Sequence, residues 1–154
     1  MVAISELTTS AFDGTPHGSG TEALIIERLR AARALTMSLV AIEDNQLVGH
    51  LACSPVAITP HHEGWFGLGP VSVRPDRQRL GIGQVLIRAG LEDLERLGAA
   101  GCVLLGDPVY YCRFGFASDP ALTYRGRRSR YFQRLSLRGS PAVGDVSFHR
   151  SFDP

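Results

Sequence analysis

A glycine-containing loop between a predicted strand and a predicted helix constrains the fold more than any other feature of this sequence. Residues 71–84 read Val-Ser-Val-Arg-Pro-Asp-Arg-Gln-Arg-Leu-Gly-Ile-Gly-Gln. Alternating valines predict a strand end, Pro75 interrupts it, and the residues from Gly83 to Leu97 have helical periodicity. A short apolar run, Cys102–Leu105, follows. Strand, long helix and strand form a βαβ unit, so the two strands are predicted to be parallel.

The remaining segments are assigned from periodicity and turn residues. Ser19-Gly20-Thr21-Glu22 has the spacing of a capping box, which predicts the start of a second helix. Pro70 cannot donate a ladder hydrogen bond, so a bulge is predicted near it. Together these features predict an α/β (or α+β) fold with one mixed sheet and helices on both faces. The predicted elements are a helix over Met1–Phe12, a loop over 13–20, a hairpin of Ser38–Ile42 and Leu47–Ser54, strands over Trp65–Val73, Tyr131–Leu137 and Gly144–Phe148, and a helical turn over Val109–Phe114.

Composition narrows the functional classes. A length of 154 residues predicts one domain, spanning residues 1–154. The formal charge of +1 provides no bulk electrostatic reason to expect nucleic acid or an acidic membrane as a partner. No apolar run approaches the roughly 18 residues of a membrane helix. Cysteines at 53, 102 and 112 lack metal-type spacing, which predicts reduced thiols in a cytoplasmic protein and no metal site.

The loop itself is suited to binding an anion. Backbone N–H groups converge there, the helix N-terminus adds about half a positive charge, and glycine permits close approach of a phosphate. Arg77 and Arg79 could supplement this charge. The dinucleotide fingerprint requires a third glycine where Leu86 stands, and the Gly-Lys-Ser/Thr of a P-loop is absent. The alternative is that Gly81 and Gly83 only form a tight turn.

The order of motifs resembles a known family. Gln-x-x-Gly-x-Gly at 78–83 follows a Val-x-Val-x-Pro strand end, and further motifs stand at Ser54–Val56, Gly67–Pro70 and Gly106–Tyr111. This pattern resembles the GNAT family of N-acetyltransferases, in particular a branch of small bacterial predicted N-acetyltransferases. The resemblance covers nearly the whole chain. It implies a mixed, mostly antiparallel central sheet with a splayed parallel strand pair, and a first edge strand that is short or missing here.

The resemblance also implies acetyl-CoA as cosubstrate and assigns site residues. Pantetheine would enter the gap beside Val71 and Val73 and pair with their backbone, and an N–H of this strand would polarise the thioester carbonyl. Tyr111 stands four residues before Gly115-Phe116 and would be the general acid for the leaving thiolate. The alternative for Tyr111 is packing alone, which is also expected of Tyr110. The cofactor-binding residues would be Val71, Ser72, Val73, Gln78, Arg79, Leu80, Gly81, Ile82, Gly83 and Gln84.

For several other polar residues the sequence allows either a functional or a structural interpretation. His61, His62 and Glu63 are candidate bases that could reach an acceptor cleft, or they form a solvated loop. His50 and Cys112 are interpreted as a satisfied structural histidine and an inert buried thiol. A cluster of arginines could favour an acidic acceptor or the cofactor phosphates, or be solvated surface: Arg125, Arg127, Arg128 and Arg130.

The expected activity is acetyl transfer from acetyl-CoA to a primary amine of a small molecule or an exposed amine, by direct attack. Two other hypotheses remain open: an acyl-CoA-binding regulatory module without turnover, and a plain interaction domain. No nucleic-acid or membrane partner and no metal are expected. By analogy with the family, the chain is expected to be a monomer or a homodimer.

Overall fold

The computed structural model describes residues 2–16 and 18–154. The predicted first helix and the loop after it are confirmed for these residues, while Met1 and His17 lie outside them. The Glu22 carboxylate accepts hydrogen bonds from the Ser19 N–H at 2.6 Å and the Ser19 hydroxyl at 2.9 Å, which is the glutamate half of the predicted capping box. The second helix begins where it was predicted, but its N-cap is Thr21, which makes no side-chain cap hydrogen bond, so the serine half of the box is wrong. The helices are α1 Val2–Phe12, α2 Glu22–Ala31, α3 Ile82–Arg96 and α4 Pro108–Tyr111.

Within residues 2–16 and 18–154, eight strands form two sheets. The central sheet has the order β1-β2-β4-β5-β7, in which β4 and β5 are parallel and the other neighbours are antiparallel. The predicted mixed, mostly antiparallel sheet is therefore confirmed. The first strand in chain order among the described residues follows two helices and lies at a sheet edge. The strands are β1 Met37–Glu43, β2 Gln46–Pro55, β3 Ala57–Thr59, β4 Trp65–Val73, β5 Gly101–Leu105, β6 Leu122–Tyr124, β7 Phe132–Ser136 and β8 Gly144–Ser147.

The prediction of a single sheet is wrong, because the last strand belongs to a second one. Strand β8 lies between β3 and β6 in a three-stranded sheet separate from the central one. Both partners are three residues long, too short to show the period of two that identifies a strand. Their pairing is also long-range, with Ile58 opposite Val146 and Leu122 opposite Gly144. Only packing around a shared apolar cluster brings them together.

The middle of β4 departs from regular pairing as predicted. Leu51 pairs with Val71 and Cys53 pairs with Leu68, so Gly69 and Pro70 together face one residue of β2. This two-to-one count is a bulge. On the other side, the ladder between β4 and β5 covers only Trp65–Gly67 against Gly101–Val103. Beyond that point the parallel pair splays, and a gap opens beside the carboxyl end of β4.

Helices cover both faces of the central sheet. A Cβ on Gly49 of β2 would meet the Leu86 side chain of α3, which places α3 on one face. The hydroxyl of Ser72 on β4 donates to Thr8 Oγ1 of α1 at 3.3 Å, and Ser72 pairs with His50, so α1 lies on the opposite face. None of the described helices is both long and apolar enough to cross a membrane.

Candidate functional site

The loop between β4 and α3 presents the backbone of a helix start. Arg79 and Gly81 have φ values of 63° and 87°, and Gly81 is the N-cap of α3 without a side-chain cap hydrogen bond. The N–H groups of the first helical turn therefore have no intrahelical acceptor and carry the positive end of the helix dipole. Gln78 Nε2 donates to the Val73 carbonyl at 3.0 Å and ties the loop to the strand end. This geometry is that of an anion cradle.

A groove of about 590 Å³ runs along this loop. Two residues predicted for cofactor binding do not line it. The Ser72 side chain is buried on the α1 face, and Leu80 is 66% exposed to solvent. The structure brings the other predicted cofactor residues together in the wall of the groove: Val71, Val73, Gln78, Arg79, Gly81, Ile82, Gly83 and Gln84.

The splayed end of β4 adds backbone groups to the groove. The Arg74 N–H donates to the Val48 carbonyl of β2 at 2.8 Å, so the backbone of Arg74 faces β2. Backbone groups alternate between the two sides of a strand, and those of Val71 and Val73 therefore face the gap towards β5. The Val73 carbonyl accepts from Gln78 there. An extended chain placed in the gap can pair with the Val71 N–H and C=O and with the Val73 N–H.

Arginine side chains make the groove electropositive. Arg77, Arg79 and Arg113 line it, whereas none of its described lining residues is a carboxylate. Arg77 Nε lies 3.0 Å from Glu43 Oε1 of β1, an ion pair that holds the Arg77 side chain near the loop and offsets part of its charge, whereas Arg79 and Arg113 form no ion pair among the described residues. The Arg113 guanidinium stacks on the Tyr110 ring, with its Cζ 4.5 Å from the ring centroid. The arrangement suits a pyrophosphate or phosphate group.

Tyr111 lies where the groove meets the end of β5. Its ring makes an edge contact with Tyr110, with centroids 4.9 Å apart, and packs against Phe116 at 6.0 Å. A Cβ on Gly106 would overlap the Tyr111 ring, so the glycine makes room for it. Burial, with a smaller effect from Tyr110, raises the pKa of Tyr111 to about 12. The phenol therefore stays protonated over the whole physiological range.

A second cavity of about 880 Å³ adjoins the groove. We call it the acceptor cavity. Four residues line both spaces, which makes the two continuous: Phe12, Val71, Tyr110 and Tyr111.

Several residues of the acceptor cavity were not predicted from the sequence. Glu22 carried a sequence signal, but that signal marked a helix start, and Asp107 stood inside a motif used only for the resemblance. The residues near the C-terminal end carried no local signal, because they approach β4 only through the fold. The unpredicted residues of this wall include Glu22, Asp107, Tyr124, Phe148, Phe152 and Asp153.

The candidate bases His61, His62 and Glu63 line neither space. His61 Nε2 pairs with Glu63 Oε1 at 3.1 Å, and their side chains are 81% and 85% exposed. They precede β4, whereas the cavity adjoins the later part of that strand. Gly64 next to them accepts from Ala100 at the start of β5, opposite the end that carries Tyr111. The solvated-loop interpretation therefore fits His61 and Glu63, whereas His62 is half-buried and its Nε2 accepts from the Val143 N–H at 3.4 Å.

The four arginines of the cluster lie in different environments. Arg125 lines the acceptor cavity, with Nη2 3.8 Å from Asp153 Oδ1. Arg127 and Arg128 are exposed, and Arg130 donates to the Tyr131 hydroxyl at 2.7 Å. One member of the cluster thus belongs to the site and the others lie on the surface.

Cys112 and His50 line neither space. Cys112 was expected to be buried, and this was wrong: it is exposed, because its short helical turn lies on the surface, with its thiol 3.3 Å from the Val109 carbonyl. His50 was expected to be a satisfied structural histidine, and this is confirmed only in part: it is fully buried, and Nε2 lies 2.7 Å from the Ser38 hydroxyl. Nδ1 of His50 has no hydrogen-bond partner among the described residues. Within the same residues, no group of three or more His, Cys, Asp or Glu side chains could hold a metal ion.

Comparison with known proteins identifies the fold and the family. The family model described as acetyltransferase (GNAT) family matches residues 2–116. The Escherichia coli K12 protein named uncharacterized N-acetyltransferase YhbS is 38% identical over 144 residues, covering 88% of this chain and 85% of that protein. A GNAT family acetyltransferase from Brucella melitensis, solved in complex with acetyl-CoA, is 48% identical with a TM-score of 0.86, covering 99% and 91% of the two chains. The YhbS structure from Escherichia coli in complex with CoA has a TM-score of 0.90 at 31% identity, covering 99% and 86%. The chain therefore belongs to the acetyltransferase (GNAT) family.

Proposed function

We propose that this protein transfers an acetyl group from acetyl-CoA to a primary amine by direct attack. The observation that carries this proposal is the continuity of the electropositive groove with the acceptor cavity at Val71, Tyr110 and Tyr111. The relatives solved with acetyl-CoA and with CoA support the choice of cosubstrate. The proposed catalytic unit is one domain over residues 1–154, an interpretation supported by cavity walls that draw on residues from Ala11 to Pro154.

The groove residues would hold the cosubstrate by its charge and its backbone. The first-turn N–H groups after Gly81, together with Arg79 and Arg77, would bind the pyrophosphate. Pantetheine would pair with the free backbone groups of Val71 and Val73 in the splayed gap. The thioester would then lie near Tyr111, at the junction with the acceptor cavity. The side chains of Ser72 and Leu80 would take no part in holding the cosubstrate, since neither residue lines the groove.

The proposed reaction exchanges the thioester C–S bond for an amide C–N bond. The neutral amine nitrogen attacks the thioester carbonyl carbon, the new C–N bond forms and the C–S bond breaks. A β4 backbone N–H stabilises the oxyanion that develops on the carbonyl oxygen. The nitrogen loses one proton to solvent, and the sulfur leaves as a thiolate that takes one proton from Tyr111. Solvent then returns a proton to the phenolate.

The high pKa of Tyr111 determines how this residue can assist departure of the sulfur. A phenol with a pKa of about 12 always carries the proton to be donated. A thiol has an ordinary pKa near 8.5, so full transfer from this phenol to a free thiolate is unfavourable by roughly three pKa units. Tyr111 would therefore act mainly by hydrogen bonding to the sulfur as its charge develops, with the proton following. Tyr110 would position this ring by its edge contact.

The direct test is CoA release from acetyl-CoA in the presence of a panel of primary amines. Enzymatic transfer predicts amine-dependent release, with kcat/KM rising about tenfold per pH unit below the pKa of the amine, because only the neutral form attacks. Calorimetric binding of acetyl-CoA without release by any amine would instead support an acyl-CoA-binding regulatory module. Absence of acetyl-CoA binding at millimolar concentration would leave an interaction domain.

Two broader assignments accompany this proposal. We place the reaction in the cytoplasm, which is supported by three free cysteines, two of them buried in the core. Both cavities are built from one chain, so the proposed chemistry is compatible with a monomer or a homodimer.

A further inference from the structure

The two adjoining spaces differ in the charges that line them. Arginines line the groove, as described above. The acceptor cavity carries three carboxylates, Glu22, Asp107 and Asp153, together with Arg28 and Arg125. The first space therefore suits an anionic cosubstrate, whereas in the lining of the second the carboxylates outnumber the guanidinium groups.

Both arginines of the acceptor cavity are directed to the same residue. Arg28 Nη1 donates to the Asp153 carbonyl at 2.9 Å, and Arg125 Nη2 lies 3.8 Å from the Asp153 carboxylate. In contrast, no described cation lies within 4.0 Å of the Glu22 or Asp107 carboxylates. Neither carboxylate therefore forms an ion pair among the described residues, although Asp107 is near enough to Arg130 to contribute, after Tyr131, to the raised pKa of that guanidinium.

Backbone donors hold both carboxylates in place. Glu22 accepts from Ser19 as described above, and Asp107 Oδ1 accepts from the Val109 N–H at 2.9 Å. Burial opposes ionisation of Glu22, but the hydrogen bonds from Ser19 and nearby backbone N–H groups outweigh it and lower the pKa of Glu22. A carboxylate of lowered pKa is a weak base, so Glu22 is better suited to attract a cation than to remove its proton.

Three packed aromatic rings form part of the wall of the acceptor cavity. The Phe148 ring lies 5.3 Å from the Tyr124 ring and 5.2 Å from the Phe152 ring, measured between centroids. All three line the cavity. Such a wall takes up apolar or ring-bearing groups and gains little from a chain that is charged at several points.

From this arrangement we infer that the acceptor is a monoamine, cationic in water, carried on an apolar and ring-bearing body. Glu22 and Asp107 attract its ammonium group, and Tyr124, Phe148 and Phe152 pack against its body. The inference rests on the proposed function and assigns Glu22 and Asp107 as specificity-determining residues. The bound ammonium group releases one proton to solvent and reacts as the neutral amine at the Tyr111 junction.

The test compares three acceptors with acetyl-CoA: 2-phenylethylamine, the polyamine spermidine, and phenylacetic hydrazide, whose terminal nitrogen is uncharged at pH 7. The variants are Glu22→Gln and Asp107→Asn, which remove charge but keep an oxygen that can cap the helix. Glu27→Gln is the matched control, because Glu27 is exposed on the same helix and lines neither space.

The expected kcat/KM for 2-phenylethylamine is at least tenfold above that for spermidine. Each charge-removing variant should raise the KM for 2-phenylethylamine roughly tenfold, a loss of about 1.4 kcal/mol in binding. The KM for acetyl-CoA and the kcat/KM for the hydrazide should stay within twofold, and Glu27→Gln should match the wild type. A preference for spermidine, or an unchanged KM in both variants, would overturn the inference while leaving the proposed function intact. Acetyl-CoA binding without turnover of any amine would overturn both.

Discussion

The aromatic ring of Tyr111 packs directly against Gly106, leaving no room for a side chain at residue 106. Gly106 directly follows β5 and begins the turn into α4, where the Asp107 carbonyl accepts a hydrogen bond from the Tyr111 N–H at 3.0 Å. The proposed acid is thus positioned by two neighbouring residues of the Gly-Asp-Pro segment, one through its missing side chain and the other through its backbone.

Replacing Gly106 by Ala should displace the Tyr111 ring. We expect Gly106→Ala to lower the free energy of unfolding by about 1–3 kcal/mol through overpacking, and to lower kcat. Urea unfolding of Gly106→Ala, Tyr111→Ala and the double variant completes a cycle. The clash disappears when the ring is absent, so the double variant should be at least about 1 kcal/mol more stable than additivity requires. Additive free energies would show that the ring and the glycine are not in contact.

Removing the Tyr111 hydroxyl tests the proposed acid. We expect Tyr111→Phe to lower kcat roughly 100-fold, because the leaving thiolate loses its donor, with little change in the KM for acetyl-CoA. Since the pKa of Tyr111 is about 12, the wild-type rate should show no fall from this phenol between pH 7 and 10. Tyr131→Phe is the control, as Tyr131 lines neither space. Full kcat in Tyr111→Phe at every pH would remove the assignment.

Filling the space above Gly83 tests the phosphate loop. A Cβ there would lie 3.2 Å from the Tyr110 hydroxyl and 3.6 Å from Val73 Cγ2. Residue 83 is in the first turn of a helix, where Val and Gly differ by only about 0.5 kcal/mol in propensity. We therefore expect Gly83→Val to raise the Kd for acetyl-CoA at least roughly tenfold with little change in Tm.

A substitution at Gly81 is the comparison for the Gly83→Val experiment. It has open space around the Cβ position but a φ of 87°, which a side chain disfavours. Gly81→Ala should therefore cost about 1–2 kcal/mol of stability from backbone strain, in contrast to Gly83→Val. Calorimetry and thermal unfolding on both variants separate the two effects, and an unchanged Kd in Gly83→Val would contradict the proposed loop.

The buried His50 predicts a pH dependence of stability. Burial, with a smaller effect of Arg30, lowers the pKa of His50 from 6.5 to about 4. The unfolded chain therefore binds the proton at higher pH than the folded chain. The resulting stability is complete above pH 6.5 and is lost as pH falls towards 4.

Between pH 7.5 and 5.5 we expect His50 to account for a loss of about 1.4 kcal/mol in the free energy of unfolding. This window lies above the ordinary pKa range of carboxylates, which limits their contribution. Urea unfolding at both pH values measures the loss. It should be absent in His50→Gln and retained in His61→Gln, a change at an exposed histidine. Equal pH dependence in wild type and His50→Gln would contradict the expected pKa.

The elements that the sequence predicted correctly depend on neighbours in the chain. The hairpin between β1 and β2 turns at Asp44 and Asn45, whose φ values of 50° and 61° suit those residue types. Helix α3 carries its apolar stripe at 3.6-residue spacing, and Gly98 follows it with a φ of 78°. The bulge at Pro70 follows from its missing N–H. Each of these signals acts over a few residues and needs no distant partner.

The groove and the acceptor cavity likewise differ in how far the sequence could predict them. The groove could be outlined from the sequence because its loop, strand end and helix start are contiguous in the chain, and Tyr111 could be singled out by resemblance. The acceptor cavity could not, because Glu22, Asp107 and Phe148 come from segments far apart in sequence. The three-residue strands β3 and β6 were missed for a related reason, since their pairing with β8 depends on a shared apolar cluster.

Local sequence alone therefore determined the helices, the hairpin, the parallel strand pair and the glycine-containing loop, because backbone conformation and helix termini depend on adjacent residues. Tertiary structure decided which loops reach the proposed thioester position and which carboxylates lack an ion pair among the described residues. It placed Glu22 and Asp107 in the cavity and left His61 and Glu63 in solvent. Burial and charge pairing arise from long-range packing, and no local periodicity encodes them.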